Sequence, residues 1–311
     1  MLAPPAFESL TEFVAHLSDT RYWAPYVEAA LHRHDIANAG HPPAAGHNAT
    51  YPTFVCGDVV VKLFGTMSSW RRGYASEHAA YRTLAADPAI AAPCLLASGQ
   101  LFDSDDAPWP YLITNRLPGA PASLNTLSTG QQLALARALG GQVRRIHALP
   151  TAGLTRTGDW PIAHLSAAAR RGSLPPHLAR QADSFVQTLP PADPVVVHGD
   201  LCANHVYVAD GAYIGLIDWG DAMVADRHYE LIQIHRDLLA CDKNLLRTFL
   251  DASDWPVTAD FAQRALGHAL YRQAIGLMQH HSMDVFEPVA AILPLDDMAT
   301  LDELATALFA V

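Results

Sequence analysis

The spacing of apolar positions changes twice along the 311-residue chain, and each change marks a different kind of element. Residues 6 to 36 repeat apolar side chains at helical intervals ("FESLTEFVAHL", then "YWAPYVEAALHRH"), and the run ends in "AGHPPAAGHNATYP", where Gly, Pro and Asn break the pattern. Short β-branched runs follow. "TFVCG" and "DVVVKLFG" meet at Gly57 and Asp58, which predicts a hairpin with Lys62 emerging from an apolar strand. "SEHAAYRTLAAD" reads as a helix with Ser76 as its cap and Glu77 in its first turn, and "CLLASGQLF" and "WPYLITNRLPG" read as two more strands.

From "LSTGQQLALARALGGQVRRIHAL" onward the period becomes 3.6, with Leu133, Leu135, Leu139, Val143 and Ile146 on one broad apolar face. "HYELIQIHRDLLA", "KNLLRTFLDAS", "TADFAQRALGHALYRQAIGLMQ" and "TLDELATALFA" continue the helical reading. One interruption stands out. Val195 to Asp221, "VVVHGDLCANHVYVADGAYIGLIDWGD", is a set of short strands with loops at their ends. The expected organisation is a β-rich lobe over residues 1–117, preceded by a helical extension, and a mainly helical lobe over 118–311, making an α+β fold.

Composition narrows the function. A hydrophobic fraction of 50% and a charged fraction of 16% describe a soluble globular chain, and no apolar run approaches the ~20 residues that span a bilayer. The first residues carry acids where a signal peptide carries basic groups, so a cytoplasmic location is expected. The net charge of −11 argues against nucleic acid or an anionic membrane as partner and permits a cationic small molecule. Cys56, Cys94, Cys202 and Cys241 lack paired metal-ligand spacing and read as free thiols, and no HExxH pattern occurs among the 16 histidines.

A lysine on an apolar strand, a glutamate on the next helix and two loop aspartates around a strand hairpin are the parts that phosphoryl transfer uses. That reaction is catalysed chiefly by positioning and by neutralising phosphate charge. Lys62 suits the phosphates, Glu77 an ion pair that fixes Lys62, Asp218 a magnesium ion and Asp200 the attacking hydroxyl. Singly, Lys62 also reads as an edge-strand lysine and Glu77 as an acid favoured at a helix start.

"HGDL" at His198 to Leu201, followed by "IDWGD" at Ile217 to Asp221, resembles the aminoglycoside phosphotransferase and choline kinase family, which has the bilobal protein-kinase-like fold. Within that family "VVVKLFG", "ASEHAAYRTLA", "WPYLITNRLPG", "IHALP", "DAMVADRHYELIQIH" and "DVFEP" look most like hygromycin B phosphotransferases. The resemblance runs over nearly the whole chain and is patchy between Thr151 and Pro190. It implies ATP, with GTP as the alternative, and Mg²⁺ as cofactors. It implies that Lys62 contacts the α and β phosphates, Glu77 pairs with it, Asp218 is the principal metal ligand and Asp200 is the catalytic acid/base or orienting residue. The adenine would hang from the Asn115 carbonyl and the Leu117 amide, and "GHNATYP", with His47 and Asn48, would stand in for a glycine-rich loop. His198 is expected to hold the loop by a hydrogen bond.

One position departs from the family's HGDxxxxN pattern: the residue five after Asp200 is His205, and the asparagine, Asn204, comes one residue early. Magnesium prefers oxygen, so either Asn204 supplies it, or water does beside His205, or this part of the metal site is lost. Only eight residues separate Asp218 from Arg227, which leaves no room for a protein-kinase activation segment and favours a small-molecule acceptor. Asp221 and Glu230 are the acidic candidates for a cationic acceptor, with Asp237 on the same helix, and Asp226 reads as a helix cap. Three readings remain open: an aminoglycoside kinase, a kinase of another hydroxylated metabolite, and a nucleotide-binding protein without transfer.

Overall fold

The computed structural model describes residues 2–37, 40–46, 50–65, 69–156, 165–280 (backbone only for 276–280) and 284–311. The chain divides into two compact units, Met1–Pro118 with Gly215–Asp221, and Gly119–Ile214 with Ala222–Val311.

The first unit opens with two helices where the apolar spacing is continuous. α1 (Leu10–His16) and α2 (Thr20–His32) are separated because the Asp19 side chain accepts the Arg21 and Tyr22 amides and starts a new helix. The strands β1 (Ala44–Ala45), β2 (Thr53–Cys56) and β3 (Val59–Leu63) come next, then α3 (Trp70–Leu84), β4 (Leu95–Gln100) and β5 (Pro110–Asn115). They form one antiparallel sheet in the order β1-β2-β3-β5-β4. Val59, Val61 and Leu63 point into the core beside Phe54, Tyr111 and Ile113, with Trp23 and Val27 of α2 in the same cluster. The period of two then puts Lys62 on the opposite face of the sheet.

α3 differs from expectation. It begins at Trp70, so Ser76 is no cap and Glu77 lies mid-helix, buried. Gly73 lies within those earlier turns as a packing residue: a Cβ there would sit 2.5 Å from the Tyr51 hydroxyl.

The second unit is built around long helices. It contains β6 (Ala120–Pro121), α4 (Thr129–His147), the short α5 (Leu165–Ala169), α6 (Pro176–Ala179) and α7 (Ala182–Gln187), and then β7 (Pro194–Val197), β8 (Val206–Ala209), the first three residues of β9 (Ala212–Leu216) and β10 (Met223–Asp226). It ends with α8 (Leu231–Gln233), α9 (Lys243–Ala252), α10 (Phe261–His280), α11 (Glu287–Ala290) and α12 (Leu301–Phe309). Ser128 and Gln131 form a reciprocal capping box at the start of α4. Its buried face, Leu135, Leu139, Val143 and Ile146, packs with Leu245, Leu246, Phe249 and Leu250 of α9. β7 pairs antiparallel with β10, and β6-β8-β9 form a small sheet.

"HYELIQIHRDLLA" is not one amphipathic helix. Arg227–Glu230 is a 3₁₀ turn, α8 follows, and Ile234–Leu238 is a π-turn closed by the Leu239 amide on the Ile234 carbonyl. Every residue from His228 to His235 is buried, so no solvent-facing stripe holds the segment to a single register. Among the described residues no helix is long and apolar enough to cross a membrane.

Candidate functional site

In the first unit, antiparallel pairing with β5 holds Lys62 opposite Leu112, and its ammonium lies 2.7 Å from Glu77 Oε2 and 2.9 Å from Asp218 Oδ1. Tyr51 and Phe64 flank it, with ring centroids 5.8 and 5.6 Å away. Burial alone would lower the Lys62 pKa, but the Asp218 and Glu77 carboxylates overcome it and hold the ammonium well above the ordinary lysine range. At Glu77 burial raises the pKa, Lys62 opposes it, and the charges of Asp218 and Asp221 add to the rise. One ammonium thus faces two carboxylates, with the exposed Asp221 contributing from the same loop. These carboxylates offer oxygen, the donor type a hard divalent cation takes. Asp218 is the accessible carboxylate, 39% exposed against 4% for Glu77.

The Asp218 loop is pinned from below. The Leu216 amide donates to the Ala91 carbonyl (2.9 Å) and the Trp219 indole to the Leu216 carbonyl (3.1 Å). Gly215 is obligatory, since a Cβ there would lie 2.6 Å from the Ala91 oxygen and 2.7 Å from Leu117 Cδ1. Asp218 itself sits at φ 61°, a left-handed conformation that aspartate tolerates better than most residues. At the end of β5 the Asn115 amide donates to the Cys94 carbonyl and the Arg116 amide to the Asp58 carbonyl. His47 and Asn48 lie outside the described residues.

The second unit carries the other motif. Gly199, at φ 84°, lets the chain turn sharply between buried His198 and Asp200. The Asp200 amide donates to His198 Nδ1 (3.3 Å), so His198 shapes the loop. Gln233 Nε2 (2.7 Å) and Arg272 Nη2 (3.1 Å) both donate to Asp200 Oδ1, and Arg272 Nη1 donates to the Gly199 carbonyl (2.7 Å). The Arg272 guanidinium lies 4.9 Å from the Tyr229 ring centroid. Arg272 and Gln233 carry no motif and were missed by sequence reasoning. The available signal was a charged residue among buried neighbours on one helix, since Ala269, Leu270 and Ala274 line the same segment.

His205 is 5% exposed and its Nδ1 stands 2.7 Å from the Asp200 carbonyl oxygen, which requires Nδ1 to carry the proton. Nδ1 is therefore a donor, not an open metal ligand. Asp200, Cys202 and His205 offer ligand atoms within 4.8 Å of one another, a thiol-imidazole-carboxylate set that suits magnesium poorly. Asn204 is exposed on the adjoining 3₁₀ turn.

Glu230 needs correction as an acceptor-binding candidate. It is fully buried, accepts the His198 amide at 2.9 Å and lies 3.3 Å from His147 Nε2, so both its oxygens are spent inside the protein. Asp226 caps the 3₁₀ turn through the His228 amide and also accepts from the His228 ring, Arg264 and the Asp193 amide. Asp237 pairs with its neighbour Arg236.

An antiparallel sheet unit that holds a lysine–glutamate pair, joined in sequence to a helical unit with an HGD loop, defines the class: a protein-kinase-like phosphotransferase fold. The family model described as "Phosphotransferase enzyme family" matches residues 26–265, and the chain belongs to that family. It is similar to an aminoglycoside 3'-phosphotransferase of Escherichia coli, 30% identical over 135 residues, a segment covering 39% of this chain and half of the relative's length. Among solved structures, the GDP complex of wild-type aminoglycoside 2'-phosphotransferase-IIIa superposes with a TM-score of 0.66 at 17% identity, over 92% of this chain and 99% of the other. A streptomycin–ATP ternary complex of a second aminoglycoside phosphotransferase gives 0.60 at 17% identity, over 92% and 98%. At these identities the structures establish the fold.

Proposed function

We propose that the chain is an ATP-dependent O-phosphotransferase that moves the γ-phosphate to a hydroxyl of an aminoglycoside, hygromycin B or a close analogue. The observation that carries the reading is the Lys62 ammonium held between a buried glutamate and an accessible aspartate on a loop that begins "IDWGD", within a chain of this family. Lys62 would hold the α and β phosphates, with Glu77 fixing its direction. Asp218 would hold Mg²⁺, which when bound neutralises charge on the transferring phosphoryl group. Asp200 would orient the acceptor hydroxyl and receive its proton. Asn115 and Leu117 would meet the nucleotide base, and Asp221 would face a cationic acceptor. Residues 1–117 would form the nucleotide-binding lobe and 118–311 the catalytic and substrate-binding lobe, in the cytoplasm, where both substrates would be met.

The test is ADP release from purified protein with Mg·ATP or Mg·GTP and a panel of aminoglycosides including hygromycin B. Drug-dependent turnover that disappears in Asp200→Ala supports the reading, and no stimulation by any aminoglycoside overturns it. A second reading follows from His205, whose Nδ1 is already engaged: a nucleotide-binding protein without transfer. Nucleotide that binds yet stays intact over prolonged incubation, with every alcohol offered, would favour it.

A further inference from the structure

We propose that Arg272 and Gln233 are positioning residues for Asp200, a role that rests on the phosphotransferase reading for its kinetic consequence but not for its geometry. Both donate to the same carboxylate oxygen, Oδ1, at 3.1 and 2.7 Å. Oδ2 has no hydrogen bond among the described residues; His205 Nδ1 stands 3.6 Å from it. Two donors on one oxygen fix the rotation of the carboxylate and leave the other oxygen for an incoming hydroxyl.

Arg272 does more than hold the side chain. Its second terminal nitrogen takes the Gly199 carbonyl, so one guanidinium grips the aspartate and the peptide group just before it. A planar fork is required for that double contact, and the Tyr229 ring beneath it holds the plane. A lysine offers one ammonium and cannot bridge both oxygens in a fixed direction. Arg272 is 5% and Gln233 2% exposed, so water cannot replace either donor freely. Neither residue has an exposed polar end with which to meet substrate, which separates this role from binding.

The consequence is a loss of turnover without a matching loss of nucleotide binding. A misplacement of ~1 Å at a reacting group costs on the order of 100-fold in rate. Arg272→Lys, which keeps the charge, is therefore expected to lower kcat by ~10- to 100-fold, and Gln233→Leu, which keeps the volume, by ~10-fold, with the nucleotide KM little changed. Crystal structures of both variants should show the Asp200 carboxylate rotated from its wild-type direction.

A kcat within twofold of wild type in both variants, or a fall in kcat matched by an equal rise in nucleotide KM, overturns the proposal. Should Arg272→Lys fail to fold, Gln233→Leu carries the measurement, because it removes no charge. If wild-type protein itself turns over with no acceptor, the phosphotransferase reading fails alone and the crystal structures decide: an unmoved Asp200 refutes the positioning role, and a rotated one upholds it.

Discussion

Replacing Glu77 by Gln removes one carboxylate from the Lys62 cluster while keeping the side chain's size and its capacity to accept a hydrogen bond. The charges stand 2.7 Å apart with 17% and 4% of the side chains exposed, so the pair is not screened as a surface pair is. At an effective dielectric of ~20, Coulomb's law gives a gross attraction of ~6 kcal/mol. Breaking a buried pair by removing one partner costs ~3–5 kcal/mol net. Asp218 remains 2.9 Å from the ammonium, so the lower end, ~3 kcal/mol, applies. For a unit of this size that lowers the melting temperature by roughly 6–12 °C. Differential scanning calorimetry of nucleotide-free protein measures it, and titration calorimetry with Mg·nucleotide follows the accompanying loss of affinity as Lys62 turns toward Asp218 alone. Unchanged melting with unchanged nucleotide affinity would sink the idea that Glu77 orients Lys62.

Three further outcomes are expected. Gly140→Ala should destabilise by ~1–3 kcal/mol in urea, because a Cβ would lie 2.4 Å from the Phe249 carbonyl where α4 meets α9, whereas Gly141→Ala, one residue along and open, should stabilise by ~0.5–1 kcal/mol. Burial pushes both His235 and His268 down to about 4, so the unfolded chain takes up protons below pH 6.5 that the folded chain refuses, and stability falls as pH drops from 6.5 toward 4. Each contributes a loss of ~2 kcal/mol by pH 5, read as a falling urea midpoint, and His235→Phe should flatten that slope. His205→Asn, whose amide can reach the same Asp200 carbonyl and adds an oxygen donor, should raise turnover at limiting magnesium, whereas His205→Ala should lower it at every magnesium concentration.

Alternation in "VVVKL" was enough to put Lys62 on the opposite face from Val61 and Leu63, because strand period is local information. The family motifs likewise marked both loops. Three features resisted. The start of α3 was misread because "WRRGYA" contains a glycine whose reason for being there is the Tyr51 hydroxyl, a contact about twenty residues away in sequence. Glu230 read as a solvent-facing acid because sequence does not show that the His198 amide and His147 would consume its two oxygens. Arg272 lies 72 residues from Asp200, and nothing local links them. Each of these three depends on a partner distant in the chain, whereas "HYELIQIHRDLLA" was misread for a different reason: it is buried on every side, so its apolar pattern fixes no single helical register.

The HGD loop shows what those distant partners accomplish. Three successive residues are held from three directions: the His198 amide by Glu230, the Gly199 carbonyl by Arg272 of α10, and the Asp200 carbonyl by His205. Gly199 at φ 84° makes the turn sharp; the Asp200 carbonyl also accepts the Cys202 amide at 3.0 Å, while the His198 amide and the Gly199 carbonyl are met by side chains from elsewhere in the chain. Those partners cost little to organise, because Glu230, Arg272 and His205 are all buried and already ordered by the core. The loop's rigidity is thus inherited from the helical unit, and with it the direction of the Asp200 carboxylate. His205, read from the sequence only as a departure at a metal-ligand position, holds the Asp200 carbonyl through a ring nitrogen that carries its proton. Through that contact residue 205 is tied to the geometry of the aspartate five residues before it.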